Sequence, residues 1–107
     1  MSKNKKLIRE LFRTKVFERD GHVCKVCFKN SDILDAHHIT DRNEMPNGGY
    51  VLENGISLCP ECHLKAEHFH ITEKTEYYPN FHPDDLYNLI NSSFNKAWQA
   101  SEKLNIS

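Results

Sequence analysis

The chain has 107 residues, of which 38% are hydrophobic and 27% charged, and its formal net charge at pH 7 is −1. These values exclude a membrane-spanning protein, because no apolar run reaches the roughly 20 residues that a bilayer requires, and they exclude a uniformly cationic coat for nucleic acid. We expect one domain over residues 1–107 with a core small enough to need a bound metal. An amphipathic segment follows the basic N-terminus, so we also expect no signal peptide and a cytoplasmic location.

The charges are unevenly distributed along the chain. Residues 1–29 carry nine Lys or Arg against three acids, a net charge of +6, whereas the remainder carries a net charge of −7. A basic segment beside an acidic body favours contact with a phosphate backbone at one end of the molecule. The alternative is a solvated basic helix face with no partner.

Hydrophobic spacing predicts the elements of the first half. Apolar residues recur at helical spacing from about Lys6 to Arg19, and the helix should end at Asp20-Gly21, because glycine is a common C-terminal stop. Residues 32–39 resemble a short strand. The polar residues 40–49 form either a substrate-contacting loop or a plain connector, and residues 50–52 are expected to resume a strand.

The second half is predicted to be mainly helical. A helix over residues 60–70 would place His63, Glu67 and His70 on one face, at i, i+4 and i+7. Residues 72–82 are read as a connector. Pro83 opens another amphipathic helix within a C-terminal extension over about 83–105, whose expected buried stripe is Leu86, Leu89, Ile90, Phe94, Ala97 and Trp98.

The cysteines form two pairs, Cys24-x-x-Cys27 and Cys59-x-x-Cys62, with 31 residues between them. Four thiolates at this spacing can close a tetrahedral structural Zn²⁺ site, and a reducing compartment disfavours disulfides. The interval exceeds that of a plain zinc ribbon, so the segment between the pairs is an insertion. Free cysteines or a redox pair are the alternatives.

Adjacent histidines lie within this insertion, at His37 and His38. Neighbouring side chains of a strand point to opposite faces, so the two imidazoles are expected to have different roles unless a bulge intervenes. A neutral imidazole can act as a general base for phosphodiester hydrolysis, and a divalent cation can stabilise the charge that develops on the phosphoryl oxygens.

These motifs carry a family resemblance. Arg19-Asp20, Cys24-x-x-Cys27, Ala36-His37-His38-Ile39 and Asn54-Gly55-Ile56-x-Leu58-Cys59-x-x-Cys62-His63 together resemble the HNH endonuclease family in its four-cysteine form, which includes phage-type members. The resemblance covers about residues 9–70. The H, N and H of the family name correspond to His38, Asn54 and His63. It implies an α+β fold, a small zinc-stabilised ββα-metal (His-Me finger) nuclease domain with flanking N- and C-terminal helices.

The resemblance also implies residue roles. His38 would be the general base, and His37 and His63 would bind one catalytic cation, Mg²⁺ or another divalent ion such as Mn²⁺ or Ni²⁺. Asn54 would orient the base, although in some members the corresponding residue contacts the metal. Glu67 would be a further ligand or hold a metal-bound water.

Other residues have weaker assignments, each with an open alternative. Asp35 either supports His37 through a hydrogen bond or is a solvated acid. Arg13, Arg19 and Lys25 are candidate DNA contacts, although the two arginines could instead pair with neighbouring acids. His22, His68, His70 and His82 are read as surface or packing residues, and Phe69 and Trp98 as core residues.

The expected function is metal-dependent endonucleolytic hydrolysis of DNA with low sequence specificity, which leaves 3′-hydroxyl and 5′-phosphate ends. A non-catalytic zinc module that binds DNA or protein is the main alternative, and RNA or another phosphodiester is a further possible substrate. We expect a monomer or weak dimer, of possible phage origin, whose C-terminal helix either caps the core or docks a partner such as a phage terminase.

Overall fold

The computed structural model describes the backbone of residues 2–104 and the side chains of residues 5–104. Residue 105 of the expected C-terminal extension and the side chain of Lys3, which was counted in the basic segment, lie outside the described residues. The helices and strands are α1 (Ser2–Arg19), β1 (Asp35–His38), β2 (Gly55–Leu58), α2 (Pro60–Ile71), α3 (Pro83–Leu89) and α4 (Phe94–Glu102). The α+β class expected from the sequence is confirmed.

The two strands form an antiparallel sheet that lies between α1 and α2. Its register pairs His37 with Ile56 and His38 with Gly55, and pairing is continuous from Asp35 to His38 without a bulge. Gly55 permits the close approach of α1, because a Cβ atom there would lie 2.6 Å from Val16 and 2.7 Å from Phe12. The opposite face of the sheet, which carries Ile56, packs on α2 and the main core.

The C-terminal end of α1 is fastened to β2. Gly21 adopts φ +70°, a conformation that favours glycine, and the helix stops there. Arg19 donates to the carbonyl oxygens of Leu52 (2.7 Å) and Gly55 (2.6 Å), and it also pairs with Asp20 (2.8 Å). The Asp20 carboxylate in turn accepts a hydrogen bond from the Ser57 amide at 2.8 Å.

Residues 50–52 do not form the expected strand. The connection between β1 and β2 instead contains three short 3₁₀ turns, Arg42–Glu44, Pro46–Gly49 and Leu52–Asn54. The Leu52 carbonyl accepts from Arg19 instead of from a neighbouring strand. The apolar letters of this segment therefore reflect packing and not strand pairing.

The expected single C-terminal helix is wrong, because the chain breaks between α3 and α4. Asn91 adopts φ +56°, and the Ser93 side chain accepts a hydrogen bond from the Lys96 amide at 3.1 Å, which caps a new helix. The break divides the expected buried stripe. Leu86 and Ala97 are buried, whereas three members of the stripe are about two-fifths exposed: Leu89, Phe94 and Trp98, at 40%, 44% and 39%.

Candidate active site and metal-binding clusters

β1 directs its two histidines to opposite faces of the sheet. His37 faces α2 and is 2% exposed, whereas His38 faces α1, where its ring stacks on Phe12 with a centroid separation of 4.5 Å. The regular strand alternation therefore gives the adjacent imidazoles separate surroundings.

A cluster of metal-donor groups lies on the α2 face. One donor atom each from His37, Glu67 and His70 lies within 4.8 Å of the others. Glu67 and His70 are three residues apart on α2, so both side chains face the strand. The His37 Nδ1 atom lies 3.2 Å from the Glu67 carboxylate.

This donor cluster fits a divalent cation. The Nε2 atom of His70 is buried and has no hydrogen-bond partner among the described residues, and such an orphaned atom costs about 1–3 kcal/mol unless something binds it. Octahedral coordination with bonds of about 2.1 Å brings adjacent ligand atoms to about 3 Å from each other, which is close to the separation of His37 and Glu67. Burial lowers the pKa of His37, and the hydrogen bond from His37 lowers the pKa of Glu67, so the cluster offers neutral imidazole and carboxylate.

His63 lies at the edge of this cluster. Its Nδ1 atom is 3.2 Å from the Asp35 carboxylate, and its Nε2 atom is 3.9 Å from the Glu67 carboxylate. Asp35 therefore contacts His63 and not His37, the histidine that it was expected to support. Of the expected metal ligands, the structure brings His37 and Glu67 together most closely, with His63 beside them.

His38 packs against aromatic rings on the other face of the sheet. The Tyr50 ring meets it edge-on at 4.9 Å, and its Nε2 atom is buried without a hydrogen-bond partner among the described residues. Burial, followed by the charges of His37 and Arg42, lowers the pKa of His38 to about 4. The imidazole is therefore neutral at pH 7 and has a free ring nitrogen.

Asn54 is fully buried and forms four hydrogen bonds. Its carbonyl oxygen accepts from the Thr40 amide (2.9 Å) and the Tyr87 hydroxyl (2.7 Å), and its amide nitrogen donates to the carbonyls of Thr40 (3.0 Å) and Gly49 (3.2 Å). These bonds fix the chain two residues after His38 and tie α3 to it. Asn54 makes no hydrogen bond to the His38 ring, so any orienting effect acts through the backbone.

The four cysteine side chains come together at the ends of α1 and α2, through Cys24, Cys27, Cys59 and Cys62. The sulfur atoms of Cys27 and Cys59 are 3.8 Å apart, the separation expected across a tetrahedral site with Zn–S bonds of about 2.3 Å. Burial raises the pKa of the Cys62 thiol, and the neighbouring sulfurs add to this effect. A cation removes that penalty, so the residues present fit zinc.

The expected DNA contacts are separated in the structure. Arg13 lines the same pocket as His38, but Arg19 and Lys25 do not. The Arg19 guanidinium is occupied by the intramolecular bonds described above. Its contacts are therefore explained by the alternative role, pairing with a neighbouring acid. Lys25 belongs to the first cysteine pair, and its amide donates to the Ser57 carbonyl at 2.9 Å.

Four histidines were read from the sequence as surface or packing residues, and three of them fit that reading. His68 lies 3.2 Å from Glu76, His82 caps α3 by accepting from the Asp84 amide, and His22 is exposed. His70 is the exception. Its helical spacing from Glu67 was the available signal, but sequence alone did not show that β1 lies opposite that face.

The fold and site define a ββα arrangement, two antiparallel strands and a helix around a metal-donor cluster, stabilised by a separate cysteine site. A sequence model of the family described as HNH endonuclease matches residues 22–69. This segment, a little under half of the chain, is therefore similar to a family whose members share the ββα-metal fold, and the resemblance seen in the sequence is confirmed over these residues. No curated protein and no solved structure matches the chain.

The family supports a nuclease-type function with a nucleic-acid substrate, and the cysteine cluster supports binding of a metal such as zinc. Among the described residues, no helix has both the length and the hydropathy needed to cross a membrane.

Proposed function

We propose that the protein is a metal-dependent endonuclease that hydrolyses DNA phosphodiester bonds with low sequence specificity. One observation carries the proposal. Within the family-matched segment, a single strand presents a buried donor cluster on one face and a neutral imidazole with a free nitrogen on the other.

His38 acts as the general base. Its unpartnered Nε2 accepts a proton from the attacking water, whose oxygen forms a bond to phosphorus while the bond from phosphorus to the 3′ oxygen breaks. The products are a 3′-hydroxyl, protonated from solvent, and a 5′-phosphate. Asn54 is a positioning residue, because it fixes the chain that follows the base.

The cation is held by His37, Glu67 and His70, with His63 beside them. Mg²⁺, Mn²⁺ or Ni²⁺ bound there would supply Lewis-acid stabilisation of the phosphoryl and leaving oxygens. Asp35 restrains the ring of His63 through their contact at 3.2 Å. The four cysteines hold a structural Zn²⁺ that does not take part in the chemistry.

The main alternative is a zinc module that binds DNA or protein without cutting. Two buried ring nitrogens without partners, on His38 and His70, weigh against it. Such atoms destabilise the folded state, and a purely binding module gains nothing from them.

Plasmid nicking tests the proposal. Protein dialysed until only one zinc per chain remains should convert supercoiled DNA to nicked circles when Mg²⁺, Mn²⁺ or Ni²⁺ is added. His38→Ala should reduce the rate by about 10²- to 10⁴-fold, because it removes the base. His68→Ala, on the outer side of α2, is the matched control and should cut like the wild type.

Two outcomes would contradict the proposal. If His38→Ala retains its zinc and cuts at the wild-type rate, the base assignment fails. If the wild type binds DNA but never cuts with any of these metals, the binding module is favoured.

The remaining assignments are proposals of the same kind. We propose that residues 1–107 act as one domain, supported by the hydrogen bond that joins Tyr87 to Asn54. A cytoplasmic location is supported by cysteines clustered as ligands. A monomer or weak dimer, phage origin and a partner such as a terminase stay predictions, and the exposed rings of Phe94 and Trp98 on α4 offer a surface for that partner.

A further inference from the structure

The α1 face of the sheet contains a pocket of about 280 Å³ that opens to solvent. We call it the arginine pocket, and its lining residues are Arg9, Phe12, Arg13, Ala36, His38, Arg42 and Tyr50. The pocket lies on the opposite face of β1 from the donor cluster. It is several times the volume of a water molecule, about 30 Å³, so a phosphate group and a water both fit.

Tyr50 lies beside two of the arginines. The Arg42 guanidinium donates to the Tyr50 hydroxyl at 3.0 Å, and the charge of Arg9 also acts on this phenol. Burial of the phenol opposes ionisation, but the two guanidinium groups outweigh it and lower the pKa of Tyr50. The positive charges of Arg42 and Arg9 therefore favour negative charge near the Tyr50 hydroxyl.

No carboxylate neutralises the pocket. The Lys and Arg side chains that form carboxylate ion pairs within the described residues are Arg19, Lys29 and Lys74, none of which lines the pocket. Arg13 instead lies over the Phe17 ring at 5.2 Å, which orients its guanidinium without consuming its charge. The arginine pocket thus combines positive charge with unused hydrogen-bond donors.

His38 lines the arginine pocket as well. A phosphodiester is the anion that suits this combination, because guanidinium groups bind non-bridging phosphate oxygens through paired hydrogen bonds. A lysine-rich patch would supply charge without this geometry.

We propose that Arg9, Arg13 and Arg42 bind a backbone phosphate of the DNA next to the cleavage site, and that Tyr50 is a positioning residue for Arg42. This inference rests on the proposed function, and it adds two arginines and a tyrosine that the sequence motifs do not contain. A contact made through the backbone phosphate carries no sequence information, which is consistent with the low sequence specificity that we propose.

Binding measurements test the inference without the cutting reaction. The zinc-loaded full chain, without other divalent cations, is titrated into a fluorescent DNA duplex at several salt concentrations. Arg9→Gln and Arg42→Gln should each weaken binding several-fold and reduce the slope of log affinity against log salt by about 1. Lys103→Gln, an exposed charge on the C-terminal side of α4, is the control and should leave the slope unchanged.

Tyr50→Phe should weaken DNA binding less than either arginine variant, because its ring is kept and only the hydroxyl is lost. Zinc content and the thermal midpoint of each variant show that it is folded.

The inference and the proposed function can fail separately. If the wild type cuts but the arginine variants keep its salt slope and its DNA affinity, the arginine pocket is not a phosphate site and the inference is overturned. If Lys103→Gln reduces the slope equally, the effect is general charge, which also overturns it. If the wild type cuts nothing while the arginine variants lose slope, the proposed function fails and phosphate binding at the pocket stands.

Discussion

At the scale of single residues, helical spacing separates histidines that look alike in the sequence. His68 and His70 are two positions apart on α2, yet His68 pairs with Glu76 while His70 faces His37 with a ring-centroid separation of 5.5 Å. Strand alternation makes the same separation for His37 and His38, and it was predictable because its period is two. The assignment of His70 was not predictable, because it depends on which face of α2 the strand covers.

His70→Ala should weaken binding of the catalytic cation by at least about 10-fold, since it removes one donor of the cluster. The measurement is calorimetric titration of Mn²⁺, or the visible absorption of Co²⁺, in protein that retains its zinc. His68→Ala is the matched control and should bind like the wild type.

His63→Ala completes the comparison, because His63 was the ligand expected from the motif. Loss of affinity in His63→Ala with none in His70→Ala would restore the ligand set expected from the sequence. Equal losses would place both imidazoles on the cation.

At the scale of elements, the register of β2 against α1 controls the surroundings of the base. Gly55 pairs with His38, and Phe12 lies against both. Sequence periodicity located α1, α2 and the strand that contains β1, but it placed the second strand at residues 50–52 instead of at Gly55–Leu58. It failed at the C-terminal helices, because the apolar stripe continues across the break at Asn91 and outweighed the capping signal of Ser93.

Gly55→Ala should lower the free energy of unfolding by about 1–3 kcal/mol, the usual cost of overpacking. The added methyl would lie less than 3 Å from side-chain atoms of Phe12 and Val16, so α1 must move away from the sheet. Urea denaturation measures the change.

The control for this prediction is Gly21→Asn. No heavy atom lies within 4 Å of a Cβ built at Gly21, and asparagine tolerates its positive φ better than alanine does. Gly21→Asn should therefore lower the free energy of unfolding by less than Gly55→Ala does. An unchanged urea midpoint in Gly55→Ala would mean that α1 does not approach β2 as closely as the structure indicates.

At the scale of the whole molecule, the four cysteines join the two layers that cover the sheet. Cys24 follows the end of α1, and Cys59 is the residue before α2. The Lys25 amide, between the first two thiols, also bonds to β2. The spacing of the two pairs made this site predictable, since a tetrahedral site needs little more than two close pairs of thiolates.

Removal of zinc should unfold the chain at room temperature. Structural zinc contributes on the order of 10 kcal/mol, about as much as the entire stability of a small domain. Circular dichroism and divalent-ion titration, recorded while a strong chelator extracts the zinc, should show helix content and cation binding lost together. A zinc-free chain that keeps its helices and still binds Mn²⁺ would contradict this expectation.

The bridge between α1 and α2 also affects how the protein responds to a shortage of metal. If one zinc ion holds both covering helices, as we propose, a chain without zinc would not persist as a slower catalyst; it would become an unfolded substrate for proteases. Zinc supply would then set how many folded copies a cell contains, whereas the proposed second cation would set what each copy can do.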